Sequence, residues 1–154
     1  GRDHSISVKL SALHPRYETA HADTCVPELS AMLVELAERA AKADIGLTVD
    51  AEESERLVMS LDIIAAVAAR RRPGQVIVGF AAETHDVLAH ARAKLVGKGL
   101  DLVVANDVSE AGAGFGGDDN RVTLVTADGE MALPAGSKLV AAHGVLDWLA
   151  GRLR

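Results

Sequence analysis

The chain has 154 residues, a length that suits one domain and is sufficient to bury a substantial core. Its 22 acidic and 16 basic residues give a formal net charge of −6, which argues against nonspecific binding to nucleic acid, because phosphates demand a basic surface. The single cysteine, Cys25, excludes an internal disulfide, and no apolar run approaches the ~20 residues that span a bilayer, so we expect a cytoplasmic protein without a membrane partner.

The first half of the chain alternates residues with strand and helix periodicity. Residues 6–10 alternate polar and apolar side chains and predict a strand. A helix is predicted over residues 24–43, with Leu29, Leu33, Leu36 and Ala40 on one face. Residues 46–50 predict a second strand that ends in Asp50. Asp50 is suited to cap the next helix, with Glu53 completing a capping box. The inward face predicted for that helix carries Leu57, Leu61, Ile64 and Val67.

The second half continues the alternation and ends in a hairpin. Residues 75–80 are an apolar run typical of a buried parallel strand, residues 86–96 predict a helix, and residues 100–105 predict another strand. A glycine-rich loop follows over residues 107–120. Asp128-Gly129 then joins two short strands, because an Asp-Gly pair is a strong hairpin signal.

This order of elements predicts an α/β fold. Strands that alternate with helices favour right-handed crossovers and a mostly parallel sheet, and four such units cannot close an eight-stranded barrel. We therefore expect an open, doubly wound three-layer sandwich of the Rossmann or flavodoxin-like type, with a C-terminal β-hairpin and a last helix capped by Ser137. One domain over residues 1–154 is expected, in which the strands of the first half extend the edge of the sheet in the second half.

Two motifs in the first part of the chain resemble a known enzyme family. Residues 6–18 read ISVKLSALHPRYE, and residues 45–53 read IGLTVDAEE. Residues 3–64 resemble the proline dehydrogenase domain of bifunctional proline-utilisation flavoenzymes, where this segment is a βαβα piece of a (β/α)8 flavin barrel. The resemblance implies that Lys9 lies near the flavin, which is FAD in that family, and that Asp50 lies at the carboxyl end of the next barrel strand.

A different family is indicated after residue 67. Residues 75–84 read QVIVGFAAET, and residues 105–108 read ANDV. Residues 67–154 resemble the carboxyl-terminal part of phosphopantothenoylcysteine synthetase, an enzyme of coenzyme A synthesis that uses CTP with Mg²⁺. The resemblance implies a nucleotide site in this part of the chain and a homodimer formed through the hairpin region around Asp128-Gly129.

Three residues are the candidates for that nucleotide site. By the resemblance, Phe80 contacts the base, and Lys94 and Lys98 hold the CTP triphosphate. Lys94 and Lys98 are four residues apart and so share one helical face, where a bound anion would relieve their mutual repulsion. The alternative interpretation of the two lysines is a solvated basic face.

The two resemblances meet in one helix near residues 63–69, between the segments 1–66 and 67–154. Most strands of the flavin barrel are missing, and so are the upstream glycine-rich phosphate loop and lysine-rich motif of the synthetase. We therefore expect no catalytic residue and no cofactor, and the main hypothesis is an engineered chimera of two enzyme fragments without catalysis. Two alternatives stay open: a module that binds CTP or phosphate weakly at Phe80, Lys94 and Lys98, and a coenzyme A ligase or proline-oxidising flavoenzyme.

The histidines and the cysteine predict no further chemistry. His85 and His90 are five residues apart and should diverge on a helix, so no metal site is expected. Cys25 lies near a helix start, which can lower the pKa of a thiol, but no neighbouring motif marks it as a nucleophile. Packing or simple exposure is the expected role of Cys25.

Overall fold

The computed structural model describes residues 4–50, 54–109 and 119–152, and the chain divides into two compact units. The first unit comprises Gly1–Arg71 and the second comprises Arg72–Arg154. The predicted capping residue Glu53 and most of the predicted glycine-rich loop lie outside the described residues. A single domain over the whole chain stays a prediction.

The first unit combines a two-stranded parallel sheet with helices. Strands β1 (Ser5–Val8) and β2 (Gly46–Val49) pair along their full length. The helices are the single turn α1 (Leu10–Leu13), the long α2 (Ala22–Lys42) and α3 (Leu57–Ala68). These strands form a sheet of their own, so the expectation that they extend the edge of the second sheet is wrong.

The core of the first unit lies between α2 and α3. Leu29 and Leu33 of α2 are fully buried, as their spacing predicts. On α3 the buried side chains are Met59 and Ile63, whereas Leu57, which we predicted to face inward, is 52% exposed. The predicted face is wrong because α3 is apolar on nearly all sides, so spacing alone does not select the buried one.

Asp50 does not cap α3. The helix begins at Leu57, after a 3-10 turn over Ser54–Arg56, and Arg56 occupies the N-cap. The Asp50 carboxylate instead accepts a hydrogen bond of 2.5 Å from Ser7 Oγ. Asp50 therefore ties the end of β2 to β1.

The second unit contains a five-stranded mixed sheet and two helices. Its strands are β3 (Val78–Glu83), β4 (Leu102–Asp107), β5 (Asp119–Thr126), β6 (Gly129–Ala132) and the short β7 (Gly136–Ser137). The order across the sheet is β3-β4-β5-β6, with β7 also paired to β5. β3 and β4 are parallel, and the other pairs are antiparallel. The helices are α4 (Val87–Lys98) and α5 (Lys138–Arg152).

The two helices cover opposite faces of this sheet, because successive strand residues point to opposite sides. Val103 and Ala105 of β4 pack in a cluster with Leu95 of α4. Their neighbours Leu102 and Val104 pack in a second cluster with Val145 of α5. The predicted three-layer α/β fold with a C-terminal hairpin is thus confirmed, although β3 and β4 begin two to three residues later than predicted. The expectation of a mostly parallel sheet is wrong here, because every pair made by β5 is antiparallel. Across the residues that the structure describes, we find no helix with the length and apolar content that crossing a membrane requires.

Candidate functional site

The carboxyl ends of β3 and β4 form a polar edge. Their last residues, Glu83 and Asp107, are register partners, and Asn106 precedes Asp107. Asn120 of β5 lies beside Asn106 and accepts a hydrogen bond from its amide nitrogen. Open α/β sheets bind ligands outside the carboxyl ends of parallel strands. We therefore take Glu83, Asn106, Asp107 and Asn120 as the candidate site and call them the polar edge.

Two side chains of α4, Lys94 and His90, contact the Glu83 carboxylate. Lys94 Nζ donates a hydrogen bond of 2.5 Å to Glu83 Oε1, and His90 Nδ1 lies 3.3 Å from Glu83 Oε2. The hydrogen bond from Lys94 is the largest cause that lowers the pKa of Glu83, against the opposing effect of burial, and the charge of Lys94 and His90 add to the lowering. Glu83 therefore stays ionised and fixes the end of Lys94 against the sheet.

The rest of the polar edge combines a charged group with buried amides. Asp107 Oδ1 accepts hydrogen bonds from Ser109 Oγ at 2.6 Å and Ser109 N–H at 3.0 Å, and these bonds lower the pKa of Asp107. Asn106 Nδ2 donates to Asn120 Oδ1 at 3.1 Å. Within the described part of the chain, Asn106 Oδ1 and Asn120 Nδ2 are buried without a hydrogen bond. Both atoms are shielded from solvent, so a ligand would reach this acceptor and this donor only after the edge opens locally.

The predicted nucleotide residues lie on two faces of β3. Phe80 is 76% exposed and pairs in register with Val104, so it lies on the α5 side of the sheet. Lys94 reaches the opposite side, where it bonds to Glu83. Lys98 lies four residues further along α4, about 6 Å from Lys94 along the helix axis. The structure thus brings Lys94 to the polar edge but does not place Phe80 and Lys94 on one face.

The predicted flavin-proximal residues lie side by side in the first unit. Lys9 and Asp50 directly follow Val8 and Val49, which are register partners at the ends of β1 and β2. Lys9 is exposed, and Asp50 is engaged by Ser7. Both therefore lie at the carboxyl end of a parallel pair, and their role near a flavin stays a prediction.

The hairpin predicted for dimerisation forms between β5 and β6, with Thr126 and Gly129 as the last register pair. Asp128 at its tip is exposed and lies 3.7 Å from Arg152. Glu130 of β6 accepts a hydrogen bond of 2.9 Å from Arg92 of α4. The hairpin itself is confirmed, and the homodimer stays a prediction.

Cys25 is buried beside the buried His14, which in turn contacts the exposed Glu28. Its Sγ is 3.4 Å from His14 Nδ1, and His14 Nε2 is 2.8 Å from Glu28 Oε2. Burial, followed by the negative charge of Glu28, raises the pKa of the Cys25 thiol. The lowering considered from its place near a helix start is therefore wrong, and the fully buried, neutral thiol is a packing group.

The expectation that His85 and His90 diverge is also wrong. Their ring centroids are 5.2 Å apart and nearly perpendicular. His85 precedes α4, which begins at Val87, so helical spacing does not apply to this pair. No role was predicted for Glu83. It is the first polar residue after the apolar run that begins at Val76, and that position was the signal that could have identified Glu83.

A three-layer α/β unit whose parallel strands end in carboxylates and amides has the build of the α/β proteins that bind small molecules at a strand edge. A family model described as "DNA/pantothenate metabolism flavoprotein C-terminal domain" matches residues 33–153. The chain belongs to this family.

Curated relatives share part of the chain. The Coenzyme A biosynthesis bifunctional protein CoaBC of Vibrio cholerae serotype O1 is 49% identical over 90 residues, which are 58% of this chain and 23% of the relative. The protein of the same name from Bacillus subtilis is 43% identical over 110 residues, 71% of this chain and 25% of the relative. The chain thus spans about a quarter of the length of these relatives. A crystal structure of the C-terminal domain of CoaBC is 31% identical, with a TM-score of 0.46 over 56% of this chain and 39% of that one.

These matches correct three predictions and confirm a fourth. The family match begins at residue 33 and extends past the supposed join near residues 63–69, which overturns the hypothesis of an engineered chimera without catalysis. The relatives are named as coenzyme A biosynthesis proteins, which overturns the expectations that the chain is no enzyme and needs no cofactor. The predicted resemblance of the second part of the chain to a protein of coenzyme A biosynthesis is confirmed. The proline dehydrogenase resemblance of residues 3–64 gains no support from these matches.

Proposed function

We propose that this chain carries the nucleotide-binding part of a phosphopantothenoylcysteine synthetase and binds CTP with Mg²⁺ in its second unit. The observation that supports the proposal most is the family match over residues 33–153, which includes almost the whole of that unit. The coenzyme A relatives support the pathway. We place this activity in the cytoplasm, in keeping with the single free cysteine.

Side chains of the second unit offer contacts to a nucleoside triphosphate from the two faces of β3. The exposed ring of Phe80, on the α5 side, offers a face on which a base can stack. Lys94 and Lys98, on α4 at the opposite side, supply positive charge for phosphates. Asn106 Oδ1 and Asn120 Nδ2 are shielded from solvent and would serve as an acceptor and a donor only after the polar edge opens locally. When bound, CTP would supply the nucleoside triphosphate whose cleavage drives the formation of a new bond by a ligase.

The ion pair between Lys94 and Glu83 sets a condition on this site. Lys94 Nζ already has a carboxylate at 2.5 Å, so a phosphate must either share the ammonium group or displace Glu83. Glu83 thus competes with the nucleotide for Lys94. We infer that Lys94 contributes less to CTP affinity than its charge suggests.

Titration of the whole chain with CTP and Mg²⁺, followed by calorimetry and by amide shifts in nuclear magnetic resonance, tests the proposal. Phe80→Ala should raise the Kd about 5- to 150-fold, because base stacking on an aromatic side chain contributes ~1–3 kcal/mol. Lys98→Met should also raise the Kd. Lys138→Met, at the start of α5, is the matched control and should leave the Kd unchanged.

Two results would count against the proposal. One is the absence of heat and of amide shifts in the second unit at millimolar CTP. The other is CTP binding that Phe80→Ala, Lys94→Met and Lys98→Met all leave unchanged, since binding would then lie elsewhere. Turnover of phosphopantothenate with CTP, measured on the same preparation, reports separately on whether the chain completes the ligase reaction by itself.

A further inference from the structure

The turn between β3 and α4 brings three potential metal ligands together. One ligand atom each from His85, Asp86 and His90 lies within 4.8 Å of the other two. Asp86 is the N-cap of α4 and has a left-handed conformation, with φ 47°. His85 before it and His90 on the first turn of the helix therefore meet, with their rings nearly perpendicular and 5.2 Å apart.

The donor set selects a class of ion. Two imidazole nitrogens and one carboxylate oxygen suit Zn²⁺ and its first-row neighbours, whereas Mg²⁺ and Ca²⁺ favour ligand sets made of oxygen alone. Ligand atoms around tetrahedral Zn²⁺ lie about 3.4 Å from one another, given bond lengths near 2.1 Å. Rotation of the side chains can shorten the distances between the three ligand atoms from within 4.8 Å to that value, since His85 and Asp86 are exposed and His90 is partly exposed.

A second observation supports a metal role for the two rings. His90 Nδ1 faces Glu83 Oε2 at 3.3 Å, and an ionised carboxylate only accepts hydrogen bonds, so Nδ1 carries the proton. In the neutral ring, Nε2 then holds the lone pair that a metal ion needs. His85 Nδ1 lies 3.2 Å from Thr84 Oγ1, which leaves its Nε2 outward as well. Histidines that ligate metals commonly hold their second nitrogen in this way.

Glu83 is itself fixed, because Lys94 Nζ bonds to its other oxygen at 2.5 Å. Lys94, Glu83 and His90 are therefore linked in a row, and His90 at its end belongs to the cluster with His85 and Asp86. We propose that His85, Asp86 and His90 form a Zn²⁺ site with one open coordination position. None of the three proposed ligands is assigned to the nucleotide, but Lys94 links the two sites through Glu83, so Zn²⁺ binding is measured without CTP.

The test uses the whole chain, without a histidine tag and stripped of metal by chelator. Calorimetry with ZnCl₂ should give one equivalent per chain, and Co²⁺ should give the visible absorption bands of a four-coordinate ion. His85→Ala and His90→Ala should each raise the Zn²⁺ Kd at least tenfold. Glu83→Gln should keep the stoichiometry and raise the Kd about 10- to 100-fold, as loss of an outer partner of a metal-bound histidine does.

His143→Ala, on α5, is the matched control and should bind Zn²⁺ as the unchanged chain does. Excess Mg²⁺ should not displace the ion. Circular dichroism of each variant checks the fold, and His85→Asn with His90→Asn provides a second pair of substitutions if an alanine variant is unstable. Absence of saturable binding, or a Zn²⁺ Kd that stays the same in the His85, His90 and His143 variants, would overturn the proposal.

Discussion

The contact between Glu83 and Lys94 should be the strongest ion pair that holds α4 to its sheet. Lys94 Nζ and Glu83 Oε1 are 2.5 Å apart, and the two side chains are 33% and 16% exposed. A charge-assisted hydrogen bond with this degree of burial contributes ~1.5–3 kcal/mol, more than the ~0–1 kcal/mol of a surface pair. We expect Lys94→Met and Glu83→Gln each to lower the free energy of unfolding, with a coupling energy of about 1–2 kcal/mol in a double-mutant cycle.

Urea unfolding followed by Trp148 fluorescence measures this cycle. Trp148 is the single tryptophan of the chain and packs against the core cluster on the α5 face, so its signal reports on the second unit. The matched control is the pair Arg92 and Glu130, which also joins α4 to the sheet but is 54% and 29% exposed. Its coupling should stay at or below ~1 kcal/mol. Equal coupling energies for the two pairs would refute the argument from burial.

Three further predictions concern other parts of the chain. Ile63→Ala should destabilise the first unit by ~2–5 kcal/mol, because its side chain is fully buried, whereas Ile64→Ala should cost less; thermal melting by circular dichroism compares them. The raised pKa of Cys25 means that the folded state favours the neutral thiol, so the free energy of unfolding should fall as pH rises above about 8.5, and less steeply in Cys25→Ala. If the hairpin forms a homodimer, Met131→Lys on the outer strand β6 should shift the mass in light scattering from dimer to monomer, since Met131 is 48% exposed there.

Each of these predictions has an outcome that contradicts it. Equal losses of stability for the two isoleucine variants would mean that α3 turns another face to the core. An identical pH slope with and without the Cys25 thiol would remove that group from the alkaline loss of stability. A monomer for the unchanged chain at all concentrations would exclude the hairpin dimer.

Local patterns predicted the features that depend on neighbouring residues. The spacing of Leu29 and Leu33 identified the buried face of α2, because polar side chains occupy the rest of that helix. The Asp-Gly pair located the hairpin because few other dipeptides suit its tight turn. The alternation of strands and helices was sufficient for the three-layer fold.

The candidate site could not be predicted in the same way, because it depends on contacts between distant residues. Glu83 and Lys94 are eleven positions apart and meet only after α4 folds back onto β3. The approach of His85 to His90 depends on the left-handed backbone of Asp86, which helical spacing does not anticipate. The pairing of β1 with β2 in a separate sheet was likewise not predictable, because the pattern of an amphipathic segment does not specify which strand it pairs with.

The amides of Asn106 and Asn120 have a consequence for recognition at the end of the sheet. In the portion of the chain that the structure describes, Asn106 Oδ1 and Asn120 Nδ2 are buried away from water and have no hydrogen-bond partner. The free energy of removing these two atoms from water has therefore already been lost on folding. A ligand group that hydrogen-bonds to them would regain part of that free energy. Ligand selectivity at this end of the sheet should therefore depend more on the arrangement of the ligand's hydrogen-bond donors and acceptors than on the surface area that the ligand buries.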